Sequence, residues 1–535
     1  MTTSASHREG YVPFPEAEAQ EYRAAGYWAG RTLGDLLRDT ARTQPSSPAI
    51  LSDAAVRTYA ELDADADAMA HGLLALGIRP GDRVIVQLPN IPEFATALFG
   101  ILRAGIIPVL TLPAHRRAEI EHLAALSEAV AYLIPDRLGE FDYRELAATV
   151  RAAVPSLAHV LVAGEPGAFR ALDSVPTQGD SLPEVDSAEI AVMLVSGGTT
   201  GLPKLIARTH DDYVYNATAS ARVCELTADD VYLATLPAAH NFPLACPGIL
   251  GTVATGGAVA FTLDPSPEAA FAAIEKHRVT VSAVVPPLAQ LWSAAVDWED
   301  ADLSSLRLLQ VGGARLAEVN AREVEPALQC RLQQVFGMAE GLLNYTRLDD
   351  PDELVYTTQG RPLSPGDEIR VVDGQGDDVA PGEEGELLTR GPYTLRGYYR
   401  APEHNARAFT VDGYYRSGDL VRQLPTGHLV VSGRIKDVIN RGGENISCDE
   451  LEEHLLAHPA VRHAAAVGLP DPSLGEKVCV VLVVTGALPT LPELKMFLTE
   501  RGLATYKLPD LIRQADSLPV TAVGKIDKKA LRGTL

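Results

Sequence analysis

The chain has 535 residues, of which 46% are hydrophobic and 22% charged, a globular balance in a sequence too long for one ordinary core. A formal net charge of −24 excludes non-specific attachment to nucleic acid, because the summed field repels a phosphate backbone. Five scattered cysteines without zinc or redox spacing, a start unlike a signal peptide and the lack of an apolar run near membrane length predict a reduced, cytoplasmic protein.

In chain order, the amphipathic stretches 59–76 and 120–126 predict helices, and the short apolar runs 84–88, 106–112, 130–134 and 158–162 predict strands. Such alternation makes a layered α/β domain with a largely parallel sheet. A further apolar run, 190–195, ends in Ser196-Gly197-Gly198-Thr199-Thr200-Gly201-Leu202-Pro203-Lys204. Its glycines let backbone approach an anion, its hydroxyls donate to phosphate oxygens and Lys204 adds positive charge, so the loop suits a polyphosphate. It is not a Walker A loop, since Leu202 and Pro203 separate the last glycine from the lysine.

The run 308–311 leads into Gly312-Gly313-Ala314-Arg315, small enough to let a planar ring come close. Over 354–431 short strands alternate with the turn signals Pro381-Gly382, Asp412-Gly413 and Thr426-Gly427, which predicts a β-rich subdomain. Beyond 434 the acidic excess gives way to nearly balanced charge. A helix at 448–457 behind Ser447 as N-cap, a buried strand at 478–484 and a helix at 491–501 complete a smaller unit. The expected domains are therefore 1–434 and 435–535.

The Ser196–Lys204 loop resembles the phosphate-binding core of the adenylate-forming superfamily, which includes acyl-CoA synthetases, luciferases and non-ribosomal peptide synthetase adenylation domains. Phe336-Gly337-Met338-Ala339-Glu340, Tyr415-Arg416-Ser417-Gly418-Asp419, Gly433-Arg434-Ile435-Lys436-Asp437, Arg441-Gly442-Gly443-Glu444-Asn445 and Pro519-Val520-Thr521-Ala522-Val523-Gly524-Lys525 are similar to its other cores, in the same order. Tyr22-Arg23-Ala24-Ala25-Gly26-Tyr27-Trp28, His240-Asn241-Phe242-Pro243-Leu244 and Asn344-Tyr345-Thr346-Arg347-Leu348-Asp349-Asp350 resemble free-standing aryl-acid AMP ligases more narrowly. Ala339 and Ser417 each stand where the family usually has threonine, and with Ala339 a phosphate contact is lost.

The resemblance implies a large N-terminal domain of two layered α/β subdomains plus the β-rich one, and a small mobile α+β C-terminal domain. It implies ATP and Mg2+ as cofactors. Lys525 would bridge the substrate carboxylate and the adenylate, His240 would gate the aromatic ring and Lys436 would be the hinge. Ser196, Gly197, Gly198, Thr199, Thr200, Gly201 and Lys204 would hold phosphates. Gly312, Gly313, Ala314 and Arg315 would face Val335, Phe336 and Gly337 across adenine. Asp419 would take the ribose hydroxyls, Arg434 ribose or phosphate, and Glu340 magnesium.

Asn241, Phe242, Cys246, Gly312 and Leu343 would line the aryl pocket, where Asn241 can bond an ortho substituent and Phe242 can stack on a flat ring. In the subgroup, serine and valine at the positions of Cys246 and Leu343 accompany 2,3-dihydroxybenzoate. A thiol is a poor partner for a second hydroxyl, so salicylate is favoured; benzoate, 3-hydroxypicolinate and 2,3-dihydroxybenzoate stay open. The implied acceptor is the phosphopantetheine thiol of a separate aryl carrier protein, since Gly179-Asp180-Ser181-Leu182 leaves no room for one in this chain. Lys525, Lys528, Lys529, Arg532, Arg501 and Lys507 would offer it a basic docking face. An aryl-CoA synthetase and a catalytically silent nucleotide-binding protein are the alternatives.

Overall fold

The computed structural model describes residues 9–52, 56–175, 177–179, 181–196, 203–441, 444–471, 474–501, 503, 505–521 and 524–535, without the side chains of Lys436, Asn440, Glu444 and Asn445. Apolar runs become strands wherever they are covered on both faces: Arg83–Val86, Ile107–Leu110 and Ala131–Pro135 are buried throughout. Double-sided burial is why they read as unbroken hydrophobic runs. They pair in parallel, with His159–Ala163 and Ile190–Val195 joining them in a seven-stranded sheet that Leu205–Thr209 closes antiparallel at one edge.

A nine-stranded sheet lies beside it, with Val231–Ala234, Val281–Val284, Leu308–Gly312 and Arg331–Gly337 parallel at its centre. The predicted helices form as Tyr59–Ala75, opened by a Thr58/Glu61 capping box, and Arg117–Ser127. A helix that sequence patterning had not singled out, His210–Val223, starts at a Thr209/Asp212 capping box and is buried on nearly every side, so it is part of the core itself.

The β-rich stretch is a four-stranded antiparallel sheet, Glu368–Val372, Glu384–Arg390, Tyr415–Gln423 and Leu429–Arg434. The β-rich stretch also carries two short helices that the turn signals had not announced, Asp352–Thr357 and Pro402–Ala408. Near the N-terminus, Tyr22 and Trp28 are buried with Phe14 in an aromatic cluster, and the Trp28 indole donates to the Pro392 carbonyl at 2.9 Å. The Tyr22–Trp28 motif is thus a brace holding the start of the chain against the β-rich part.

After Arg434 the strands belong to a different sheet, built from Val438–Arg441, Glu444–Ser447, Val461–Asp471, Gly475–Val484 and Leu511–Gln514. Helix Cys448–Leu456 is capped by the Ser447 hydroxyl and turns Cys448, Leu451 and Leu455 inward, one helical face. With Leu494 and Leu498 of helix Leu491–Glu500 they form a core of their own. The result is a large N-terminal α/β domain with a smaller α+β domain at the C-terminus.

Candidate active site

Open α/β sheets present ligands at the carboxyl ends of their parallel strands. Four such ends carry candidate residues, Ser196 after Ile190–Val195, His240 and Asn241 after Val231–Ala234, Gly313 after Leu308–Gly312 and Glu340 after Arg331–Gly337, and Val285 stands at a fifth, after Val281–Val284. The loop that begins at Ser196 has a closed neck. Ser196 N–H donates to the Lys204 carbonyl, and Lys204 N–H donates to Ser196 Oγ, both at 2.9 Å. Gly197, Gly198, Thr199, Thr200 and Gly201 lie outside the described residues.

The Lys204 ammonium sits 5.4 Å from the centre of the Tyr398 ring, a cation–π contact. The Tyr398 hydroxyl donates to Glu340 Oε1 at 2.7 Å and lies 2.9 Å from that of Tyr415. One carboxylate oxygen of Glu340 is thereby engaged. No group of three or more metal-ligating side chains exists among the described residues. A lone carboxylate fits Mg2+, which keeps waters and takes substrate phosphates, and does not fit a closed zinc site.

Antiparallel pairing of Tyr415–Gln423 with Leu429–Arg434 sets Asp419 opposite Arg434, and Arg434 Nε donates to Asp419 Oδ1 at 2.8 Å. Burial raises the Asp419 carboxyl above its ordinary range, against the pull of Arg434. Ser417 Oγ donates to the Leu387 carbonyl at 2.9 Å and accepts from Asp419 N–H at 3.0 Å, so serine keeps a hydroxyl where the family has threonine.

Lys525 comes from the far end of the chain to this same place. A β-carbon added to Gly313, whose φ is +83°, would lie 3.4 Å from Lys525 Cε and 3.4 Å from Val285 Cγ1. One added to Gly524 would lie 3.0 Å from Val285 Cγ2, so Val285 is the ledge on which the lysine loop rests. Burial, then the nearby Arg434, pushes the Lys525 ammonium down to about 8. Among the described residues it has no ion-pair partner. Burial and then Lys525 hold the His240 imidazole down to about 3, so it is neutral at physiological pH.

His240 also caps helix Asn241–Ala245, its Nδ1 accepting from Phe242 N–H at 3.2 Å. Asn241 Oδ1 accepts from the Tyr213 hydroxyl at 2.7 Å and its Nδ2 donates to Cys246 Sγ at 3.4 Å. The Cys246 thiol, pushed up to about 12 by burial, donates to the Asn241 carbonyl at 3.4 Å. Gly312 faces Phe242: a methyl there would meet two ring carbons at 3.0 Å and the Val335 carbonyl oxygen at 2.7 Å. A β-carbon on Gly337 would collide with Leu343 Cδ2, and Leu343 N–H donates to the Tyr393 hydroxyl at 3.2 Å. Asn241, Phe242, Cys246, Gly312, Val335, Gly337 and Leu343 therefore form one continuous lining.

Arg315 reaches away from this lining and pairs with Glu453 of helix Cys448–Leu456 at 2.7 Å, a bridge between the two domains. The expected basic docking face needs correction. Lys528 is only 13% exposed and pairs with Glu452 at 2.9 Å and Asp449 at 3.2 Å, while Lys507 pairs with Glu450 at 2.6 Å. These lysines neutralise the acidic helix Cys448–Leu456 from within the small domain; Arg501, Lys529 and Arg532 are the exposed ones. The side chain of Lys436 lies outside the described residues. Tyr213, Val285 and Tyr398 had no motif to reveal them, because each reaches the site through tertiary packing.

The start and end of a Gly/Ser/Thr-rich loop, an Asp419–Arg434 ion pair and a lysine from the smaller domain stand together at the strand ends, an arrangement suited to an enzyme that forms acyl-adenylates. Family models bear this out: the AMP-binding enzyme model matches residues 37–399 and the AMP-binding enzyme C-terminal domain model residues 450–525. The chain belongs to the AMP-binding enzyme family and is an adenylate-forming ligase.

Among similar proteins, the salicyl-AMP ligase / salicyl-S-ArCP synthetase of Mycobacterium tuberculosis is 56% identical, the match covering 98% of this chain and 94% of that protein. The 2,3-dihydroxybenzoate-AMP ligase of Bacillus subtilis is 52% identical over 98% of this chain and 97% of its own. A salicylyl-CoA synthase / salicylate adenylyltransferase of a Streptomyces species is 53% identical over 98% and 97%. The apo structure of MbtA from Mycobacterium smegmatis superposes with a TM-score of 0.77 at 57% identity, covering 98% of this chain and 99% of that one.

Proposed function

We propose that this enzyme activates salicylate with ATP to salicyl-AMP, releasing pyrophosphate, and passes the acyl group to the phosphopantetheine thiol of an aryl carrier protein, in siderophore or aryl-capped peptide assembly. The observation that carries the reading is the half-buried Lys525 ammonium, without an anion of its own among the described residues, set against the Gly312-Gly313 turn whose other side holds Phe242. A cation left waiting beside an aromatic pocket suits two incoming anions, a carboxylate and the α-phosphate of ATP.

A carboxylate oxygen attacks the α-phosphorus, a P–O bond forms, and the bond to the β-phosphate breaks. Lys525 stabilises the oxygens on both sides of the new bond. The Ser196–Lys204 loop holds the phosphates, Asp419 takes the ribose hydroxyls and Arg434 the ribose or α-phosphate. Gly312 to Ala314, with the Arg315 backbone, and Val335 to Gly337 flank the adenine. Neutral His240 adds no charge at the acyl carbon. Glu340 would hold Mg2+, which supplies charge neutralisation at the phosphates when bound.

In the second step the thiol sulfur attacks the acyl carbon, a C–S bond forms, AMP leaves and the thiol proton goes to solvent. That step needs Lys525 out of the way, so we infer that the unit 435–535 swings about Lys436 relative to 1–434. The Arg315–Glu453 bridge belongs to the orientation in which Lys525 is seated. Five unpaired cysteines, all buried, support a reducing, cytoplasmic setting.

Pyrophosphate exchange with salicylate, 2,3-dihydroxybenzoate, benzoate and 3-hydroxypicolinate tests the substrate: salicylate gives the highest kcat/KM, and a clear win for 2,3-dihydroxybenzoate overturns the choice. The Streptomyces relative named as a CoA synthase supports a second reading with free coenzyme A as acceptor, and rates with the two thiols separate them.

A further inference from the structure

We propose that Tyr213 is a positioning residue that decides which ortho substituent the pocket accepts; the proposal rests on the aryl-acid reading above. Tyr213 stands on the first turns of helix His210–Val223, and its side chain is fully buried. The Arg208 guanidinium lies over its ring, 4.8 Å from the centroid, and is itself fixed by Asp212 Oδ1 at 2.8 Å and the Ala339 carbonyl at 3.0 Å. So clamped, the ring delivers its hydroxyl to one acceptor among the described residues, Asn241 Oδ1 at 2.7 Å.

That bond sets the orientation of the amide. With Oδ1 held by Tyr213, the Asn241 nitrogen faces Cys246 Sγ at 3.4 Å, and its second N–H is what the side chain has left to offer a ligand. Turning the amide over would put its nitrogen against the Tyr213 hydroxyl, stranding a buried phenolic proton. It would also set the amide oxygen beside a thiol whose proton is already given to the Asn241 carbonyl. A buried donor without an acceptor is the costly arrangement.

The locked N–H has a chemical preference. The hydroxyl of salicylate donates its proton to its own carboxylate and keeps a lone pair to accept from Asn241. An ortho amine, as in 2-aminobenzoate, offers two donors and a lone pair delocalised into the ring, so donor meets donor. Benzoate offers neither and is indifferent to the orientation. Tyr213 therefore selects for an ortho acceptor, through Asn241 and without touching the acid.

The test is Tyr213→Phe, which keeps the ring beneath Arg208 and removes the hydroxyl. Pyrophosphate exchange is measured with salicylate, 2-aminobenzoate and benzoate, alongside calorimetric binding of the corresponding non-hydrolysable aryl sulfamate adenylates. The expected result is a fall of about tenfold in the salicylate to 2-aminobenzoate ratio of kcat/KM, with the same shift in binding and little change for benzoate. Asn241→Asp, which keeps the acceptor for Tyr213 and presents a second oxygen to the ligand, moves the ratio the same way. A general packing role would lower all three acids together; an unmoved ratio in both variants overturns the proposal. If the wild-type enzyme activates none of the three acids, the aryl-acid reading falls first and takes this one with it.

Discussion

Replacing Gly312 with alanine puts the aryl pocket to a direct geometric test. The new methyl would sit 2.7 Å from the Val335 carbonyl oxygen and 3.0 Å from Cε1 and Cζ of Phe242. The carbonyl cannot retreat easily, because Gly312 and Val335 are register partners in the parallel pairing of two central strands. The Phe242 ring is the softer neighbour, and on the proposed reading it yields toward the acid. Overpacking of this kind costs about 2 kcal/mol, which corresponds to a drop of about thirtyfold in kcat/KM for salicylate. Initial rates of pyrophosphate exchange, varied separately in acid and in ATP, read the result: the KM for the acid rises far more than the KM for ATP. A thermal melt alongside shows that the fold survives. Equal acid affinity in wild type and variant would refute the placement of Gly312 and Phe242 in the acid site.

Two further substitutions probe charge. Lys525→Met lowers adenylation by a factor of about 100 or more, while transfer from supplied salicyl-AMP to the thiol is spared; parallel loss of both steps in rapid-quench assays contradicts the assigned role. It also stabilises the ligand-free enzyme. Lys525 titrates near 8 when folded and near 10.5 when unfolded, so its buried charge is destabilising below pH 8, the penalty fades between pH 8 and 10.5, and the variant's advantage at pH 7 disappears over that interval. Asp367 has the opposite slope. Burial raises its carboxyl to about 7, beside Tyr393, whose hydroxyl donates to it at 2.6 Å, so the folded state keeps a proton that the unfolded chain gives up above 3.8. Stability falls between pH 4 and 7 on its account, and Asp367→Asn is more stable than wild type at pH 8, by about 4 kcal/mol at most, but equal to it below pH 4 in denaturant titrations.

What the chain reveals by itself depends on whether the determining interactions are local. Strands such as Ile107–Leu110 announce themselves because burial on both faces demands an unbroken apolar run, and helix Cys448–Leu456 because Ser447 and the spacing of Leu451 and Leu455 are written side by side. Motif residues were legible for a related reason: Ser196, Lys204, Glu340, Asp419, Arg434 and Lys525 stand in fixed local patterns. Helix Pro402–Ala408 escaped because seven residues carry too little periodicity among strands. Lys528 and Lys507 misled because a basic run looks the same whether it meets solvent or neutralises an acidic helix three-dimensionally adjacent to it. Tyr213 was silent altogether, since its meaning lies in a hydrogen bond to a residue 28 positions away.

The choice among ring substituents turns on what Cys246 has left to give. Its thiol proton goes to the Asn241 carbonyl, its sulfur takes the Asn241 amide, and burial keeps it neutral. Its modest hydrogen-bonding capacity is spent within the protein, on Asn241 and on the neighbouring Asn216 and Tyr345. A second hydroxyl on the acid, lodged against that sulfur, would lose its water and find no replacement partner there, a penalty of about 1–3 kcal/mol. The first hydroxyl meets a free amide N–H instead. The same three contacts that orient Asn241 toward one ortho oxygen thus withhold a partner from the next one round the ring, and Cys246→Ser, with a hydroxyl able to donate and accept at once, should narrow the preference for salicylate over 2,3-dihydroxybenzoate by about tenfold. An exchange assay in which that substitution leaves the ratio of the two acids untouched would place the second hydroxyl elsewhere in the pocket.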